Sequence, residues 1–364
     1  MGNVVFLREV FDWMGEHSGY DQVCNAIIDT HQYQCYSIYR PKESEVIKSF
    51  FHEHLDDVIL QKIKPNPFYH KKNLLAERKA ILKSILTGAG ILHINYVENN
   101  YALSSYPLIL PKTKVIGTVH QPPEWYEENY FRKENLKKLD AIIILSSKVR
   151  NYFDRINPGK VFMIPHGIDT DFFKPVTISG QERKSGRILF SGHWLRDIKS
   201  LYLVAKEINK LYPEIHFDLL VPINKRYDDY FKEIEKLANI HWYDGLSDLE
   251  LLNLYNEATL LFLPMIDCTA NNAILESMAC GNPIISNQVG GLSEYTDKSF
   301  ATLFPAGDIK GFIDCISNLL MNPDVAMRQG QEARKYALTN FTWAKIAEST
   351  IDVYRNAGMK SRKT

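Results

Sequence analysis

Short apolar runs, each closed by polar or turn-forming residues, recur along the whole chain. Val4–Leu7, Cys35–Tyr39, Ile91–Ile94, Lys114–Val119, Ala141–Leu145 and Val161–Ile164 read as strands. Between them Tyr20–Thr30, Tyr69–Leu86, Pro123–Leu139 and Ser147–Arg155 read as helices. After a polar stretch, Thr177–Ser185, the alternation resumes. Strands are expected at Arg187–Ser191, His216–Val221, Ile240–Tyr243 and Leu260–Met265, with helices at Ile198–Leu211, Tyr227–Ala238 and Leu249–Asn256. Strands that alternate with helices specify parallel sheets covered on both faces. Two such series joined by a polar linker, with Gly180 its most flexible point, predict two α/β domains. A length of 364 residues points the same way, being too long for one ordinary core.

The chemistry concentrates after the fourth strand of the second series. Asp267, Cys268 and Thr269 form a polar turn, a helix runs over Asn271–Ala279, and Gly281 and Pro283 end it before a strand at Pro283–Ile285. This loop lies at the carboxyl end of a strand, where open α/β sheets bind ligands. The first-turn amides, over Thr269–Asn272, lack intrahelical partners and carry partial positive charge, which suits a phosphate. Glu276 follows Asn272 by one helical turn and shares its face.

Composition narrows the classes without selecting one. A hydrophobic fraction of 45% and a charged fraction of 24% are those of a globular protein. A net charge of zero and a pI near 7.2 provide no global field for nucleic acid or anionic lipid. No apolar run approaches the roughly 20 residues that span a bilayer. The chain enters a strand almost at once, leaving no room for a signal peptide, so a cytoplasmic location is expected. The five cysteines, at positions 24, 35, 268, 280 and 315, show no metal-type spacing. The segment Lys62–Lys83 is basic, carrying Lys62, Lys64, His70, Lys71, Lys72, Arg78, Lys79 and Lys83 against Glu77. A solvated helix face explains it most simply. Attraction to an anionic acceptor, or peripheral contact with the inner face of a membrane, is the alternative.

Several motifs converge on one family. Glu276-Ser277-Met278-Ala279-Cys280-Gly281-Asn282-Pro283-Ile284, Ile164-Pro165-His166-Gly167-Ile168-Asp169, Thr118-Val119-His120 and Gly290-Gly291-Leu292-Ser293-Glu294 together resemble the family 4 glycosyltransferases of the GT-B fold. The resemblance implies two Rossmann-like, doubly wound parallel-sheet domains facing across a cleft. Residues 1–175 would form the acceptor-side domain and 176–340 the nucleotide-sugar domain, with 341–364 a helix crossing back to the first. It also implies a retaining transfer of a sugar from a UDP-, GDP- or ADP-sugar to a hydroxyl of a sugar, lipid-linked or small-molecule acceptor, with no cofactor, no metal and no nucleic acid.

Residue roles follow from the same resemblance. Glu276 would accept hydrogen bonds from the ribose hydroxyls. The family's first acidic position holds Cys268 here, so the preceding Asp267 is expected to orient the transferred sugar. Arg196 and Lys199 would clamp the diphosphate, with His193 standing where the family's arginine falls and Gly192 opening the turn. Thr269, Ala270, Asn271 and Asn272 would supply the helix terminus, and Gly245 and Leu246 would approach the base. His120 would touch a sugar hydroxyl, and Gly15 and Gly19 belong to the acceptor-side loop. His93, His166 and His193 carry less weight individually. The substitution at Cys268 keeps a second reading open, a non-catalytic homologue that binds a nucleotide-sugar or a partner subunit. A two-domain ligand-binding protein and a sugar-nucleotide epimerase are weaker alternatives.

Overall fold

A computed structural model describes residues 2–11, 14–41, 50–63, 66–129, 131–176 and 186–358. The expected linker, Thr177–Ser185, and the tail, Lys360–Thr364, lie outside the described residues, as does Lys64 of the basic segment. The chain divides into two compact units. The first comprises Met1–Met14, Gly19–His166 and Trp343–Thr364, and the second Gly15–Ser18 and Gly167–Thr342. The division therefore falls after His166, upstream of the expected 175/176, and Gly15–Ser18 groups with the second unit.

In the first unit, β1 (Asn3–Arg8), β2 (Gln34–Tyr39), β3 (Ile91–Ile94), β4 (Lys114–Val119), β5 (Ala141–Ile144) and β6 (Val161–Met163) form one sheet in the order β2-β1-β3-β4-β5-β6. Every pairing is parallel. In the second unit, β7 (Arg187–Ser191), β8 (His216–Leu220), β9 (Ile240–Tyr243), β10 (Leu260–Leu263), β11 (Ile284–Asn287) and β12 (Ala301–Phe304) form another all-parallel sheet, ordered β12-β11-β10-β7-β8-β9. Central strands such as β10, fully buried over Leu260–Leu263, are continuously apolar because helices cover both faces. The strand order of the second unit reverses between β7 and β10. The loops after those two strands therefore leave the sheet side by side.

Two helical expectations are corrected. The run Pro123–Leu139 is not one helix but two, Pro123–Glu128 and Lys133–Leu136. The first ends at Asn129, whose side-chain amide and backbone N–H both bond the Trp125 carbonyl and stop its propagation. A helix at Phe50–Ile63 was not apparent in the sequence, because its apolar residues form only a weak stripe. Its Asp56 and Asp57 pair with Arg78 (2.6 Å) and Lys71 (2.8 Å) of the helix Lys71–Thr87. Glu77 is fully buried, accepting from the Tyr69 hydroxyl and from the amides of Ala102, Leu103 and Ser104. Part of the basic segment is thus neutralised internally, and its one acid does not lie on the solvated face.

The last helix, Trp343–Asn356, packs on Gln22–Asp29 within the first unit. His93 of β3 fastens it, with Nδ1 2.7 Å from the Tyr354 hydroxyl and Nε2 3.0 Å from Thr118 Oγ1. Burial pushes the His93 pKa down to about 3, so the ring is neutral and structural. His93→Ala would leave the buried Tyr354 hydroxyl without its imidazole partner and the Thr118 hydroxyl with only Tyr20, beside a cavity, and should cost about 3 kcal/mol, read as a lowered unfolding midpoint. With the folded pKa depressed below its ordinary 6.5, the contribution of His93 is intact above pH 6.5 and lost as pH falls towards 3. Stability of the variant should accordingly fall less steeply over that window than wild type. An equal slope would contradict a neutral, buried His93.

Candidate functional site

The loops after β7 and β10 are stitched together at the reversal of strand order. Arg196 and Met265 form an isolated antiparallel bridge, the Ile266 amide donates to the Leu195 carbonyl at 2.9 Å, and the Asp197 amide donates to Pro264 at 3.0 Å. Gly192 opens the first loop with φ +87, and a Cβ there would lie 2.8 Å from Arg196 Nη2. Glycine is required both for that backbone and for the guanidinium beside it.

Arg196 is the loop's central charge. Its Nε donates to the Ser191 carbonyl at 3.0 Å and its Nη1 to Trp194 at 2.8 Å, and among the described residues no carboxylate forms an ion pair with it. Desolvation brings its pKa down to about 10, so it remains a cation at neutral pH. The adjacent Asp197 does not pair with it. Instead Asp197 caps the helix Ile198–Leu211, accepting from the Ser200 amide (3.0 Å) and hydroxyl (2.6 Å). Lys199 stands exposed in the first turn of that helix, in no ion pair among the described residues. A partly buried guanidinium without a counterion suits an incoming anion.

The second loop carries Asp267 and Cys268 side by side. Cys268 is buried, and burial holds its thiol up at about 12, so it cannot supply a charge. Asp267 remains partly exposed, and its Oδ1 accepts from the Cys268 amide at 2.7 Å. Both residues lie against the Gly290–Gly291 turn. A Cβ on Gly290 would come within 2.0 Å of the Cys268 carbonyl and 2.4 Å of Asp267 Oδ1, which explains the glycine. Asn271 caps the helix Asn272–Ala279 by accepting from the Ile274 amide at 3.2 Å. Among the described residues, no acceptor engages the amides of Asn272 and Ala273, which follow the buried Thr269 and partly buried Ala270. The available amides are thus those of Asn272, at the end of the expected Thr269–Asn272 stretch, and of Ala273 just beyond it, while that of Ile274 is spent on the cap.

Glu276 lies one turn into this helix and is only 5% exposed. Its Oε1 accepts from the Ser18 hydroxyl at 2.7 Å and its Oε2 from the Tyr255 hydroxyl at 2.8 Å. Burial raises its pKa, and the two hydroxyls oppose that shift. Neither partner is a cation. A carboxylate so placed accepts from hydroxyl donors. Tyr255 and Ser18 were not identified as site residues from the sequence. Tyr255 reads as one more core aromatic of the helix Asp248–Glu257, and only its fold position shows that its hydroxyl reaches Glu276. Gly245, with φ +62 and open space where a Cβ would stand, is exposed in the loop after β9, and Leu246 packs partly into the core.

The remaining candidates have their own settings. Gly15 belongs to the second unit and lies against Asp248, while Gly19, in the first, leaves room for the Met14 side chain. His120 follows β4 in the first unit, stacked on Tyr96 (centroids 3.9 Å apart, planes at 14°). Its Nε2 donates to the Asn95 carbonyl at 2.7 Å, and burial lowers its pKa to about 3. A neutral imidazole can hydrogen-bond a hydroxyl but cannot act as an acid at neutral pH. His166 is buried between Tyr20 and Trp343, as a packing residue.

Residues 33–172 match the model for Glycosyltransferase Family 4, and residues 185–322 match that for Glycosyl transferases group 1. The alpha-maltose-1-phosphate synthase of Mycobacterium tuberculosis is 25% identical over 290 residues, covering 70% of this chain and 71% of that protein. A D-inositol 3-phosphate glycosyltransferase of Saccharomonospora viridis is 28% identical over 116 residues, covering 32% of this chain and 27% of its own length. Among solved structures, sucrose-phosphate synthase from Thermosynechococcus elongatus superposes with a TM-score of 0.73 at 19% identity, covering 98% of this chain and 99% of the other. Anabaena HepE in complex with UDP-glucose gives a TM-score of 0.68 at 14% identity, covering 97% and 99%. With two parallel α/β units, the GT-B fold of these neighbours and both family models matched in turn, this chain belongs to the family 4 glycosyltransferases.

Proposed function

We propose that the protein transfers a sugar from a nucleotide-sugar to a hydroxyl of a glycan, lipid-linked sugar or small molecule, with retention of anomeric configuration and without a metal. The observation that carries this reading is Glu276, buried with two hydroxyl donors as its hydrogen-bond partners, in the same unit as the unpaired Arg196. A ribose presents hydroxyl donors to such a carboxylate, and each charge-assisted bond contributes roughly 1.5–3 kcal/mol. The diphosphate would be met by Arg196, Lys199 and the amides of Asn272 and Ala273. A helix terminus supplies only about 0.3–2 kcal/mol, so the cations carry most of the stabilisation of the leaving group. Asp267 takes the sugar-orienting role, since the thiol of Cys268 stays protonated. HepE, of the same fold, has been solved with UDP and with UDP-glucose, which supports a nucleotide-sugar donor here.

Peripheral contact with a lipid surface belongs to the same proposal. On the helix Lys71–Thr87, Leu82, Ile85 and Leu86 are exposed beside Lys79 and Lys83, a combination suited to anionic lipid. No described helix is long and apolar enough to cross a membrane.

Three outcomes test the reading. In a thermal-shift screen, UDP, GDP or ADP should raise the unfolding midpoint of wild-type protein, and Glu276→Ala should remove most of that shift. A full shift in the variant would refute the ribose assignment. Turnover should drop at least about tenfold in Asp267→Asn and less in Cys268→Ala, the reverse order placing the sugar-orienting group elsewhere. The double variant Arg196→Ala/Lys199→Ala should lose kcat by about a hundredfold or more, while wild-type rates should be unchanged by EDTA. Wild-type rates in the double variant, or loss of activity with the chelator, would overturn the metal-free clamp.

A further inference from the structure

Glu276 is already occupied, and what occupies it differs on its two sides. The Tyr255 hydroxyl on Oε2 is fixed, because Tyr255 is fully buried in the core-facing side of a helix. The Ser18 hydroxyl on Oε1 comes from Gly15–Ser18, a segment with no helix or strand of its own. Four further contacts pin that segment within the second unit. The Glu16 amide donates to Asp248 Oδ2 at 2.8 Å. Gly15 lies so close that a Cβ would fall 1.7 Å from Asp248 Oδ1. His17 Nδ1 is 2.7 Å from Asp169 Oδ2, and its ring stacks on Phe172 with centroids 3.7 Å apart and planes at 2°. Asp169 is prepared for this contact, its other oxygen accepting from the amides of Asp171 (3.1 Å) and Phe172 (3.0 Å).

We propose that Gly15–Ser18 is a competitor strap, whose Ser18 hydroxyl holds the position on Glu276 that a ribose hydroxyl takes when the donor binds. The inference rests on the ribose reading of Glu276. The exchange is one O–H donor for another, so the buried carboxylate is never left unpaired, a state that would be expensive. Tyr255 is a positioning residue: it fixes one carboxylate oxygen and leaves the other as the exchangeable one. Donor affinity is then set partly by the latches at Asp248 and Asp169, which hold the strap. Binding the donor has to release the strap, and weakening the strap has to tighten binding.

Hydrogen–deuterium exchange on the full chain reads the sign directly. Saturating UDP, GDP or ADP, whichever gives the largest thermal shift, should speed exchange of the Gly15–Ser18 backbone, the Glu16 amide above all. Gly15→Ala, which drives a Cβ into Asp248 yet keeps the Ser18 hydroxyl, and Ser18→Ala should each bind that diphosphate about tenfold tighter by calorimetry. Slower or unchanged exchange on binding, or either folded variant binding no tighter than wild type, overturns the strap while leaving the ribose reading standing. If no nucleoside diphosphate binds the wild type or either variant, the ribose reading fails and the strap with it.

Discussion

The reversal of strand order between β7 and β10 is the constraint from which the rest of the site follows. It brings the Gly192–Asp197 loop against the Pro264–Asn271 loop, where backbone bonds from Ile266 to Leu195 and from Asp197 to Pro264 lock them together. With the loops locked, Arg196 bonds carbonyl oxygens and, among the described residues, no acid, and the helix that begins at Asn272 has amides to spare. The same helix carries Glu276 inward to Tyr255. Positive charge and a carboxylate bonded to hydroxyls are thereby built into one unit by its topology. Sites at such a reversal are a general property of open parallel sheets.

Two departures from the family pattern are resolved by local physics. Cys268 is a buried apolar residue in effect, and the acid beside it is partly exposed and anchored by the backbone of its neighbour. The Arg196 guanidinium is accommodated because Gly192 has no side chain to exclude it. In the first unit, His120 is held neutral, stacked and hydrogen-bonded through a defined nitrogen, and His93 ties the terminal helix to the sheet. Four histidines thus separate by setting: His120 at a strand end, His93 and His166 in the core, and His193 in the loop with Arg196, where burial lowers its pKa.

Much of this was legible in the sequence because the governing signals are local. Apolar runs such as Leu260–Leu263 mark strands buried on both faces, and Asn271 and Gly281 mark the ends of the helix that bears Glu276. What was not legible depends on distance along the chain. Nothing near Tyr255 indicates that its hydroxyl meets Glu276, and nothing near Ser18 indicates a partner 258 residues away. The helix Phe50–Ile63 escaped notice because its apolar residues form only a weak stripe, and with it went the acids that neutralise Arg78 and Lys71. The break within Pro123–Leu139 depends on Asn129 bonding back to Trp125, a competition with the helix that a periodicity argument does not weigh.

The central claim is that Glu276 recognises ribose hydroxyls. Calorimetric titration of a nucleoside diphosphate and its 2′,3′-dideoxy analogue into wild type and Glu276→Gln tests it as a double-mutant cycle. The account predicts that removing the hydroxyls weakens binding to wild type by about tenfold or more, and that most of this penalty disappears in the variant. Equal penalties in the two proteins would show that the hydroxyls are read elsewhere and would contradict the account.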